Sequence, residues 1–172
     1  MGMEPQQVKR DFEVITDAIC ELHRFYIDRI PPQQLQAGAA GMRTKPPGYG
    51  HVDGCATQLI SAAMYEEFVA PCDDRVLSLY EHGGMVHICG AHTQHIPVWQ
   101  RMDRVRAIQV NDRAAEDLEA YLAGLRDDQV LYLEPTQTMS AARGIEISAG
   151  RRLVIMKGAH GYGGQESQTR TR

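Results

Sequence analysis

The stretch Met85-Val86-His87-Ile88-Cys89-Gly90-Ala91-His92 decides how the rest of the chain is interpreted. A short, partly β-branched apolar run that ends in glycine is typical of a buried strand in a parallel sheet. Because side chains alternate along a strand, His87 and Cys89 point to one face. An imidazole and a thiol side by side at the carboxyl end of such a strand provide half of a zinc site. The alternative is simple packing, since a buried cysteine usually behaves as a small hydrophobe.

The segments around this stretch alternate between strand and helix patterns. A long amphipathic helix is predicted over residues 8–29, followed by a long loop over 33–49. Strands are predicted at 51–55, 85–89, 106–110, 130–133 and 152–156, with helices at 61–82 (broken near Pro71), 96–102, 112–125 and 139–147. This alternation with short connections indicates an α/β protein with a parallel sheet and right-handed crossovers.

Two further segments bring polar side chains to the ends of predicted strands. In His51-Val52-Asp53-Gly54-Cys55, Asp53 and Cys55 share one face, as His87 and Cys89 do in theirs. His160 lies just beyond the last strand, within Lys157-Gly158-Ala159-His160-Gly161. Carboxyl ends of parallel strands are where α/β proteins hold their active sites. These residues are therefore candidates for the same site.

Composition narrows the function classes. The 172 residues are enough for one domain, and a net charge of -4 without a basic cluster gives no reason to expect nucleic-acid binding. No apolar run approaches the length of a membrane span, and no secretion signal is evident. The four cysteines are widely spaced and are expected to be reduced thiols, which makes a cytoplasmic location the default. Residues 163–172 are expected to form a disordered tail.

The composition of the first loop and the length of the chain limit the choice of fold. No glycine-rich phosphate loop follows the first predicted strand, which disfavours a nucleotide-binding sheet. A (β/α)8 barrel is the alternative, and a chain of this length supplies roughly half to five-eighths of one. Half a barrel leaves sheet edges and apolar surface uncovered. We therefore expect a homodimer or a partner chain that completes the barrel.

Several stretches together resemble the C-terminal half of the uroporphyrinogen decarboxylase superfamily. They are Leu59-Ile60-Ser61, Met64-Tyr65-Glu66-Glu67-Phe68-Val69-Ala70-Pro71, Val86-His87-Ile88-Cys89-Gly90, Arg106-Ala107-Ile108-Gln109-Val110 and Leu131-Tyr132-Leu133-Glu134-Pro135. Their order and spacing also match, over residues 11–161. The resemblance implies that residues 1–162 form a partial (β/α)8 TIM barrel, about its last four to five strand-helix units.

The family has two branches, and the resemblance implies a different chemistry for each. One branch decarboxylates the tetrapyrrole uroporphyrinogen without metal or cofactor, in porphyrin biosynthesis. The other uses zinc to move a methyl group from a methylated corrinoid to a thiol such as coenzyme M. His-x-Cys marks the zinc branch, so the first interpretation is zinc-dependent methyl transfer, with His87 and Cys89 as metal ligands. Decarboxylation of uroporphyrinogen is the alternative interpretation, and a non-catalytic half-barrel remnant or subunit is the third.

The remaining site residues are assigned from the same resemblance. The zinc branch takes its third ligand from a cysteine after the last strand, but no cysteine follows Cys89 here. His160 stands near that position and is the predicted third ligand, or a catalytic histidine, because the decarboxylases have a His-Gly pair there. Asp53 lies near the acidic residue of the zinc branch and is predicted to be catalytic or to orient a ligand. Cys55 is nearest to the serine of the decarboxylase branch, and the substrate-binding residues of the family's N-terminal half have no counterpart in this chain.

Overall fold

The computed structural model describes residues 4–31, 34 and 45–156. Within them, five strands form one all-parallel sheet in the order β1-β2-β3-β4-β5. The strands are β1 (Gly50–Asp53), β2 (Gly84–Ile88), β3 (Val105–Val110), β4 (Val130–Leu133) and β5 (Leu153–Ile155). The predicted α/β class and each predicted strand are confirmed.

Helices precede β1 and fill each connection. They are α1 (Pro5–Ile27), α2 (Ala62–Met64), α3 (Ala70–Leu77), α4 (Ile96–Trp99), α5 (Asp112–Glu116), α6 (Leu118–Gly124) and α7 (Ala141–Ser148). Short 3-10 turns at Cys55–Leu59 and Thr93–His95 follow β1 and β2. The break expected near Pro71 is a π-helical turn, Tyr65–Val69, directly before α3. Pro71 itself occupies the first turn of α3, where a missing N–H costs nothing.

One face of the sheet carries the main apolar core. Alternate side chains of β2, β3 and β4 pack there against residues of the connecting helices. The strand side chains are Val86, Ile88, Ile108, Val110, Leu131 and Leu133, and the helical ones include Leu77, Trp99, Leu118 and Tyr121. Parallel strands adjacent in chain order, joined by right-handed crossovers, place every crossover on the same face. The other face is therefore left to the remaining set of strand side chains.

That second face has a different composition. Met85, Ala107, Tyr132 and Met156 form a small separate apolar cluster there. Buried polar side chains continue the same face toward the carboxyl ends of the strands, where His87 pairs in register with Gln109. The second face thus changes from apolar to polar as it approaches the edge at which the site lies.

Helix α1 packs on the outer side of the helices that cover the main core, against α3 and the segment that follows it. Arg75 of α3 pairs with Asp17 of α1, and the Tyr80 hydroxyl lies 2.9 Å from His23 Nδ1. Among the described ranges, no helix combines the length and apolarity needed to cross a membrane. Most of the predicted loop 33–49, the segment containing His160 and the tail 163–172 lie outside the described residues.

Candidate metal centre

Cys55, His87 and Cys89 bring three ligand atoms together beyond the ends of β1 and β2. His87 Nε2 lies 3.0 Å from Cys89 Sγ, and Cys55 Sγ lies 3.2 Å from Cys89 Sγ. All three atoms are within 4.8 Å of one another. His87 is buried and the two cysteines are half-buried. The group offers one nitrogen and two sulfur ligands.

Strand pairing explains why these residues meet. Asp53 is the register partner of His87, and the Gly54 N–H continues the ladder by donating to the His87 carbonyl at 2.7 Å. After Gly54 the chain leaves the strand for a 3-10 turn, which begins at Cys55. Cys55 therefore starts the loop beside Cys89, rather than ending β1 as the sequence pattern predicted.

Gly90 lies against the turn that carries Cys55. A Cβ at this position would lie 1.8 Å from Gln58 Oε1, at the end of an exposed side chain. The contact shows that the loops after β1 and β2 lie close together at this point.

The donor set fits a metal ion of borderline softness. Thiolate and imidazole are the ligands of zinc, which binds them at about 2.3 and 2.0 Å in a tetrahedron. Such a tetrahedron separates its ligand atoms by roughly 3.5–3.8 Å. The spacings of 3.0 and 3.2 Å are a little shorter, and all three ligand atoms lie within 4.8 Å of one another. The group could therefore hold a metal ion.

Asp53 lies at the edge of this group rather than within it. Its carboxylate Oδ1 is 4.0 Å from His51 Nε2, and the side chain is 51% exposed. The His51 ring in turn lies beside the His87 ring, with centroids 6.2 Å apart. The structure therefore places Asp53 and His51 next to the ligand imidazole. His160 lies outside the described residues, so its predicted role as a ligand stays a prediction.

His92 and His95, in the segment after β2, are both fully buried. His92 Nε2 lies 3.0 Å from the Gly54 carbonyl oxygen, and its Nδ1 lies 2.7 Å from that of Gly90. Burial lowers the pKa of His95, whose Nε2 is 2.8 Å from the Thr57 carbonyl oxygen. The two imidazoles connect the loop after β1 to the loop after β2, and these loops carry Cys55 and Cys89.

Cys55 is the ligand that sequence reasoning missed. The sequence showed that Asp53 and Cys55 share a face and that His87 and Cys89 share another. The segments Asp53-Gly54-Cys55 and His87-Ile88-Cys89 have the same spacing. Aligning them as neighbouring parallel strands would have set Cys55 beside Cys89, because Asp53 and His87 are register partners. The missing information was the register, which a single sequence does not contain.

A second group of polar residues was also missed. Asn111 and Glu134 stand at the ends of β3 and β4, in the same row as Cys89. Asn111 Nδ2 donates a hydrogen bond to Glu134 Oε2. Their types and their positions after predicted strands could have indicated them, as they did for Asp53.

No family model matches this chain, and no curated protein or solved structure matches it either.

Proposed function

We propose that this chain is a uroporphyrinogen decarboxylase-like barrel portion that binds zinc through Cys55, His87 and Cys89. We further propose that it serves methyl transfer from a methylated corrinoid to a thiol. The meeting of one imidazole and two thiols at the carboxyl edge of a parallel sheet carries the proposal. Three protein ligands leave a tetrahedral ion one further position, which is the pattern of catalytic rather than structural zinc.

The topology supports the barrel portion of the proposal. Strands β1 to β5 follow one another in chain order, and their connecting helices pack on one face. A doubly wound sheet instead reverses its strand order and covers both faces with helices. The polar side chains on the second face are those that would line the mouth of a barrel.

The ligand composition supports the zinc branch of the resemblance. That branch uses one histidine and two cysteines, and the same three residue types meet here. The second cysteine comes from the loop after β1 instead of the end of the last strand. His160 is then proposed as a residue that faces the substrate, or as the third ligand in place of Cys55, so that one position remains for the thiol in either case.

The chemistry follows from the donor set. Bound zinc would hold the acceptor thiol as its thiolate at neutral pH. The reaction that this would support is attack of the thiolate sulfur on the methyl carbon, in which the carbon–cobalt bond of the corrinoid would break and leave its electron pair with cobalt. The His51 ring lies beside the His87 ring and Asp53 is the register partner of His87, so these two side chains border the metal-binding imidazole.

The test is metal analysis followed by an assay for methyl transfer. We expect nearly one zinc per chain in protein purified without added metal. With methylcobalamin and an excess of 2-mercaptoethanol, we expect the methylcobalamin absorption spectrum to disappear. In His87→Ala the spectrum should persist, because methyl transfer is abolished. A zinc content below a tenth of an equivalent, even after incubation with the metal, would contradict the proposal. Carbon dioxide release from uroporphyrinogen by metal-free protein would favour the decarboxylase instead.

A further inference from the structure

We infer that the metal centre adjoins a subsite for a protonated amine, formed by Gln109, Asn111 and Glu134, so that the acceptor is an aminothiol. This inference rests on the proposed function, because it names the thiol that would occupy the remaining position on the metal. It excludes anionic thiols such as a mercaptosulfonate as the preferred acceptors.

The sheet places the three side chains next to the metal ligands. The Asn111 N–H donates to the Ile88 carbonyl at 2.9 Å, and the Glu134 N–H donates to the Val110 carbonyl at 3.2 Å. These bonds continue the parallel ladders, so Cys89, Asn111 and Glu134 stand side by side. Adjacent strands are about 4.8 Å apart.

Two buried amide groups, Asn111 in this row and Gln109 in the row of His87, have unused hydrogen-bonding capacity. Among the described residues, Asn111 Oδ1 and Gln109 Oε1 have no hydrogen-bond partner. The orientation of Asn111 is fixed, because its Nδ2 donates to the Glu134 carboxylate, which only accepts. Gln109 Nε2 lies 3.3 Å from the weak acceptor Met156 Sδ. A buried acceptor without a partner is costly unless a ligand supplies the donor.

The missing donor is best supplied by a cation. The groups in this lining that lack a donor are two amide oxygens, and the Glu134 carboxylate next to Asn111 is a further acceptor with a negative charge. An ammonium group carries three N–H donors and one positive charge, and so satisfies both requirements. A sulfonate or carboxylate would instead face three acceptors. One strand spacing between Cys89 and Asn111 suits a thiol and an amine separated by two or three carbons.

The test compares three two-carbon thiols that differ in charge. Calorimetric titration of the zinc-loaded protein with cysteamine, 2-mercaptoethanol and 2-mercaptoethanesulfonate gives their relative affinities. We expect cysteamine to bind most tightly and the sulfonate most weakly. In Glu134→Gln and Asn111→Leu, the cysteamine-to-mercaptoethanol affinity ratio should fall about tenfold or more. Differences in thiol acidity cancel, because the same ratio is compared between proteins. Glu119→Gln, an exposed change on α6, is the matched control.

The outcomes separate this inference from the proposed function. If both variants retain stoichiometric zinc and show an unchanged cysteamine-to-mercaptoethanol affinity ratio, the amine subsite is overturned and thiol binding stands. Tightest binding of the sulfonate has the same consequence. Stoichiometric zinc with no thiol binding overturns thiol transfer and the subsite together. A protein that binds no zinc overturns the proposed function directly.

Discussion

Zinc affinity is expected to fall by at least about 100-fold when Cys55 is replaced by serine. Even a residue that only hydrogen-bonds to a ligand typically contributes 10–100-fold to metal affinity, and Cys55 would supply a ligand itself. Its Sγ lies 3.2 Å from Cys89 Sγ, so the change leaves the other two ligands in place. A serine hydroxyl is a far poorer ligand for zinc than a thiolate. Competition with a chromophoric chelator at fixed pH measures the affinity.

Cys72→Ser is the matched control, because Cys72 is also half-buried and lies outside the metal group, on α3. Its Sγ makes only a weak 3.4 Å contact with the Phe68 carbonyl. This variant should bind zinc as the wild type does. If Cys55→Ser binds zinc normally while His87→Ala and Cys89→Ala do not, then Cys55 is not the third ligand.

His160→Ala distinguishes the ligand set seen in the structure from the one implied by the family resemblance. If Cys55 is the third ligand and His160 faces the substrate, His160→Ala should leave zinc affinity unchanged, whereas Cys55→Ser should lower it. A large loss in His160→Ala alone would mean that the resemblance, and not the meeting of Cys55 with Cys89, identifies the third ligand.

Residue periodicity was sufficient to predict the strands and most of the helices. Val86 and Ile88 alternate with His87, and the helix over 8–29 repeats its apolar residues every three or four positions. These signals are local, and the structure places β2 at Gly84–Ile88 and α1 at Pro5–Ile27. The parallel order followed from the short connections, because few topologies are compatible with them.

The candidate site was only half predictable, because its other half depends on contacts across the sheet. His87 and Cys89 belong to one strand, so alternation identified them. Cys55 and Asn111 belong to different connections, and only the register brings them beside Cys89. The positions of His92 and His95 depend on contacts of the same kind. Their partners are the carbonyl groups of Gly54 and Thr57, which lie more than thirty positions earlier in the chain.

Asp73 makes the stability of the protein depend on pH. The Tyr65 hydroxyl donates to Asp73 Oδ2 at 2.7 Å and accepts a hydrogen bond from Trp99 Nε1 at 3.0 Å. Burial raises the pKa of Asp73 to about 6, Asp74 adds to the increase, and the Tyr65 hydrogen bond opposes it. Between the ordinary pKa of 3.8 and about 6, the folded chain holds a proton that the unfolded chain has lost. Stability therefore falls as pH rises through this window, and the full cost remains at higher pH.

Asp73→Asn is expected to stabilise the protein by about 2–3 kcal/mol at pH 8 and by well under 1 kcal/mol at pH 4. The amide keeps an oxygen that can accept from Tyr65, and it removes the buried negative charge. For a chain of this size the gain at pH 8 corresponds to an increase in Tm of about 4–10 °C. Thermal and urea unfolding at both pH values measure the difference between variant and wild type, with the exposed Glu119→Gln as control. A gain of equal size at both pH values would show that the ionised carboxylate is not its source. A loss at pH 8 would show that Asp73 stabilises the fold through its charge.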